Sequence, residues 1–140
     1  MSIQFIFEEK SLAFLDQEKL KKVIEYIIKE NKKVLGEILY TFVSDEEILE
    51  MNRNFLKHNY YTDIITFDNS FVNIINGEIF ISFDTVKANS LKYNTNFEEE
   101  IYRVIIHGVI HLCGFGDRAK EEKTVMRNLE NNYLAYLEKL

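Results

Sequence analysis

The sequence predicts an α+β fold, a mixed α/β sandwich in which helices cover a small, roughly four-stranded sheet. Two observations carry this expectation. Stretches with apolar residues every three to four positions alternate with short β-branched and aromatic runs, in the order strand, helix, strand, helix, strand, strand and three helices. One late stretch is apolar on nearly every side, as a helix in the middle of a fold would be. The 140 residues hold no repeat, low-complexity tract or Gly/Ser/Pro-rich linker, so residues 1–140 read as one domain with a sizeable core.

Each element has its own signal. The opening "SIQFIF" alternates with period two and reads as a strand. Leu20, Val23, Ile24, Ile27 and Ile28 form a helical stripe behind Asp16, an N-cap residue. Gly36 is expected to close that region before the strand "EILYTFV", residues 37–43. Ser44 and Glu47 make a capping box for a short helix through Ile48, Met51 and Phe55. The strands "TDIITF" (62–67) and "EIFISF" (78–83) follow, with Asn76-Gly77 between them as a turn signal. "DTVKANSLKY" is a short helix, and Thr95 with Glu98 predicts a capped helix to about Cys113. Its Ile101, Val104, Ile105, Ile106, Val109, Ile110 and Leu112 leave little polar surface. Met126, Leu129, Tyr133 and Leu137 mark a last helix at roughly 119–138.

Composition narrows the function classes. Hydrophobic residues at 46% and charged residues at 29% fit a globular protein rather than a disordered or fibrous one. No apolar run reaches the ~20 residues that cross a bilayer, and the N-terminus lacks a secretory pattern, so no membrane role and a cytoplasmic location are expected. The lone Cys113 excludes an internal disulfide and reads as a small buried hydrophobe. A net charge of −6 argues against a surface that grips nucleic acid all over. A local excess of lysine over residues 17–33, with Lys19, Lys21, Lys22, Lys29, Lys32 and Lys33 against Glu18, Glu25 and Glu30, reads as a solvated helix face.

The chemistry concentrates in "HGVIHLCGFGD", residues 107–117. His107 and His111 stand one turn apart on a helix, so their imidazoles can converge on one ion. Zinc accepts neutral imidazole, and a catalytic site adds a third protein ligand and leaves a position open. Gly114 can end the helix and Gly116 can loosen the next turn, which brings Asp117 back toward the helix end as a carboxylate donor. Spacing alone leaves a second role open for Asp117, as N-cap of the final helix.

The stretch resembles the metal motif of the YbeY family of single-domain endoribonucleases, H-G-x-L-H-L-x-G-Y-D-H. His107, Gly108, His111, Leu112 and Gly114 match, and Phe115 stands for the tyrosine. "TDIITF" resembles the family's T-D-V-L-S-F, "NGEIFIS" (76–82) its L-G-D-I-x-I-S, and "MNRNF" (51–55) its L-N-x-x-Y. The resemblance covers about residues 51–117. It implies a metal-dependent endoribonuclease that holds one zinc ion through His107, His111 and Asp117. It further implies rRNA and the ribosome or its assembly proteins as partners, in 16S rRNA 3′-end maturation and ribosome quality control. Two departures stand out. Asp117 falls at the third metal histidine, which leaves another divalent metal open. Leu56 falls at the family's arginine, where a guanidinium would suit phosphate.

Lys57 and His58 are adjacent cationic candidates for a supporting role, and Glu100, two turns before His107, could hold a ligand imidazole. First-turn helix chemistry would equally explain Glu100. Thr62 and Asp63 would shape the cleft or serve as a turn. Two other functions fit parts of the pattern. A metallopeptidase-like hydrolase fits the ligand spacing, but Gly108 replaces the general-base glutamate of HExxH enzymes. A non-catalytic ribosome-assembly factor would retain the fold with a weakened metal site.

Overall fold

The computed structural model describes residues 1–58 and 60–140. The chain runs β1 (Ser2–Ile6), a 3-10 turn (Lys10–Leu12), α1 (Gln17–Glu30), β2 (Val34–Val43), α2 (Asp45–Phe55), β3 (Ile64–Asp68) and β4 (Ile74–Ser82). It ends with α3 (Phe83–Lys92), α4 (Phe97–Leu112) and α5 (Lys120–Glu138). The four strands form one sheet in the order β1-β2-β4-β3. β1, β2 and β4 are parallel neighbours, and β3 closes the edge antiparallel to β4. Helical crossovers place helices on both sides of the sheet, the α+β sandwich expected.

Alternation along the strands sorts the core into two parts. Ile38 and Tyr40 of β2 and Ile75, Ile79 and Ile81 of β4 join the stripes of α1, α4 and α5. Val43 and Ile65, with Phe67 and Phe80 against them, receive Ile48 and Met51 of α2. α4 is the central helix: Ile101, Ile105, Ile106 and Val109 are fully buried, and the buried Tyr40 hydroxyl donates to the Ile105 carbonyl at 2.8 Å. The caps of α1 by Asp16 and of α2 by the Ser44–Glu47 box form as the sequence predicts.

Three local expectations are corrected. Gly36 does not break the chain but lies inside β2, where the ladder with β4 shifts register between Leu35 and Ile38. A side chain at 36 would collide with that of Asn76, whose Oδ1 accepts from the Glu37 amide at 2.8 Å. Asn76-Gly77 therefore belongs to β4 and is no turn. The β3–β4 hairpin turns at Val72-Asn73, where Phe71 and Ile74 exchange backbone hydrogen bonds of 3.0 and 2.9 Å and Val72 takes φ 56°. α4 is capped by Asn96, accepting from the Glu99 amide at 3.0 Å, rather than by Thr95.

Candidate active site

Four segments converge on one open cleft of about 310 Å³. α4 contributes His107 and His111, the α4–α5 connection contributes Asp117 and Arg118, and β3 contributes Ile64 and Thr66. The segment between α2 and β3 adds Leu56, His58, Tyr60 and Thr62. Asn52 of α2, almost fully buried, pins that segment: its Nδ2 donates to the Tyr60 carbonyl at 2.8 Å, and its own carbonyl accepts from the Leu56 and His58 amides. His58 stacks on Tyr60, with Nδ1 and the phenol oxygen 2.9 Å apart.

The end of α4 builds the site geometry. Gly114 takes φ 109°, its amide donates to His111, and the Phe115 amide donates to Ile110 at 3.4 Å. This is a Schellman turn, which glycine permits without steric cost. It brings the Phe115 carbonyl within 3.1 Å of His111 Nδ1. A carbonyl only accepts, so Nδ1 donates and Nε2 is the nitrogen left for the cleft. His107 is oriented in the same sense by Glu130 of α5, whose carboxylate lies 2.8 Å from His107 Nδ1. Arg103 holds Glu130 in turn at 3.1 Å. The result is an orienting carboxylate behind an imidazole, the arrangement that fixes metal-ligand histidines.

His107 Nε2 then faces Asp117 Oδ2 at 3.1 Å. Burial would favour the neutral ring, but the hydrogen bond and charge of Glu130, with Asp117 and Asp63 nearby, outweigh it and push the imidazole pKa up. Burial likewise opposes charge on Glu130, yet His107 and Arg103 hold its carboxyl below the usual range. Asp63 is pushed up chiefly by burial, with His107 pulling the other way. Among the described residues no three His, Cys, Asp or Glu side chains form a ready metal cage. The donor set nonetheless suits a divalent ion: two imidazole Nε2 atoms one helical turn apart and a carboxylate in the same cleft.

Not every expected group stands there. Glu100 pairs with Arg103, 3.7 Å away, and does not orient an imidazole. The orienting role falls to Glu130, which the sequence reading missed. Lys57 takes φ 57° and is not among the cleft-lining residues, whereas His58 is. Asp117 does not cap α5: the N-cap is Ala119, whose amide is held by Glu122 at 2.9 Å. Cys113 is buried in the core, as expected.

Fold and cleft together define a small α+β protein whose candidate site lies on a histidine-bearing helix. The comparisons with known proteins identify which. The family described as Endoribonuclease YbeY matches residues 4–138, and the chain belongs to this family of endoribonucleases. An Endoribonuclease YbeY of Bacteroides fragilis is 44% identical over 135 residues, covering 96% of this chain and 97% of that one. The protein of the same name from Parabacteroides distasonis is 43% identical, covering 98% and 96%. The solution structure of TM1509 from Thermotoga maritima superposes with a TM-score of 0.68 at 29% identity, covering 97% of this chain and 89% of that one.

Proposed function

We propose that the chain cleaves single-stranded RNA with the help of one divalent metal ion, zinc in first place, held by His107, His111 and Asp117. The observation that carries this reading is the hydrogen-bond geometry of the two imidazoles. Both Nδ1 atoms face acceptors, Glu130 and the Phe115 carbonyl, which leaves the Nε2 atoms for an ion, the ion displacing the proton that pairs His107 Nε2 with Asp117. When bound, such an ion supplies Lewis acidity, lowering the pKa of water and neutralising charge that develops on a phosphoryl oxygen.

The chain's own residues do the rest. Glu130 and Arg103 fix the ring of His107, and the Schellman turn fixes that of His111. Asp117 contributes negative charge that favours a cation between it and His107. Asn52 holds the segment carrying Leu56, His58 and Tyr60 against the opening where the substrate enters. The biological role we assign is maturation of the 16S rRNA 3′ end and ribosome quality control in the cytoplasm. It rests on family membership.

Gly108 disfavours a peptidase. The general-base glutamate of HExxH enzymes is absent, and a Cβ at 108 would point at the apolar side chains of Ile79 and Ile64, 2.9 and 3.3 Å away, rather than into the cleft.

Metal analysis and RNA cleavage test the proposal together. Purified protein should bind about one zinc, and cut a single-stranded RNA substrate in a metal-dependent manner. His111→Ala should lose both properties. Equal cleavage by the two proteins would mark the activity as contamination, and wild type that never takes up metal would favour a non-catalytic assembly factor.

A further inference from the structure

We infer that Arg118 is the phosphate-binding residue of this cleft, contacting the RNA backbone beside the metal-ligand residues. The inference rests on the ribonuclease reading above and deepens it. A cleft that acts on RNA must offset phosphate charge, yet Asp117 lowers the charge of this site relative to a third imidazole. Leu56, on the cleft wall, has no charge to give. Arg118 is the one lysine or arginine among the described residues that line the cleft. Lys57 is not part of that lining, and His58 is engaged with Tyr60.

The arginine is also available. The other arginines of the neighbourhood are committed, Arg103 to Glu99, Glu100 and Glu130, and Arg127 to Glu130. Arg118 forms no ion pair or hydrogen bond with the described residues and is exposed. It follows Asp117 directly, so the turn that carries the carboxylate toward His107 also sets the guanidinium at the cleft. A guanidinium offers planar, bidentate donation to phosphate oxygens and stays charged throughout the working pH range.

Binding of a fluorescein-labelled single-stranded RNA to the full chain tests this, in EDTA so that cleavage does not consume the probe. Anisotropy is read at several salt concentrations. Arg118→Ala should weaken binding roughly tenfold, about what losing one charged hydrogen-bonding contact implies. It should also reduce the slope of log affinity against log salt by about 0.7, one phosphate contact on a single strand. Arg118→Lys should keep the slope and lose part of the affinity. The side chain has no partner among the described residues, so the melting temperature should not move. Unchanged affinity and slope in Arg118→Ala would overturn the assignment, as would wild type that does not bind the RNA. If Arg118→Ala binds like wild type while His111→Ala abolishes cleavage, the ribonuclease reading stands and only the arginine's role falls.

Discussion

His107 stands between two carboxylates that do different work. Glu130, buried in α5, orients the ring, while Asp117, half-buried on the connection, faces the side open to an ion. Glu130→Gln retains the shape but weakens the acceptor, and zinc affinity should fall about 10- to 100-fold in a chelator competition titration. Affinity equal to wild type would mean that the carboxylate only packs. The histidines were legible because a helix fixes i and i+4; spacing alone left Asp117 open between cleft and helix cap, and only the motif resemblance set it beside them. Glu130 was not, since it lies 23 residues beyond His107 and reaches it only through the packing of α5 on α4. Glu100 misled for a related reason: it lies two turns from His107 in sequence, but its carboxylate pairs with Arg103.

α4 must serve the core and the cleft at once, and Gly108 is where the two demands meet. Gly108→Val forces its side chain into Ile79 and Ile64, and such overpacking costs about 1–3 kcal/mol. The urea midpoint should fall while His107 and His111 remain in the chain; an unchanged midpoint would show that the strand yields freely. α5 is tied to α1 by the Tyr133 hydroxyl, which donates to Glu30 at 2.6 Å. Hydrogen bonds from Tyr133 and then Tyr26 hold the Glu30 carboxyl below its ordinary value. A depressed carboxylate contributes stability that is present above the unfolded pKa and lost as pH falls through the folded one. The melting-temperature gap between wild type and Tyr133→Phe should therefore be full near neutrality and shrink below about pH 4. Helices and their stripes were readable from periodicity. Strand limits were not: the pairing of β2 with β4 absorbs Gly36, Asn76 and Gly77, which taken locally look like breaks.

The whole molecule is held by parallel pairing of β1, β2 and β4, which brings distant segments together, with α4 laid across them. An ion linking α4 to the α4–α5 connection would add a further tie that the unfolded chain lacks. Zinc at one hundred times its dissociation constant should stabilise wild type by about 2.7 kcal/mol, read as a rise in melting temperature. His111→Ala should show no such rise, and an equal rise in both would place zinc elsewhere. The sheet order could not be read from sequence, because local patterning does not state which strands become neighbours.

The Schellman turn divides the site into a part that cannot change and a part that can. Before it, both imidazoles sit on a helix whose other faces are locked into the core, so neither can be moved without unpacking the protein. After it, residue 117 hangs on a surface connection, free of any capping duty. This is the position at which the motif resemblance sets an aspartate against a histidine. The metal preference we propose is therefore open to retuning, by evolution or by the bench, through a single codon: Asp117→His should shift selectivity toward softer ions while the fold is retained.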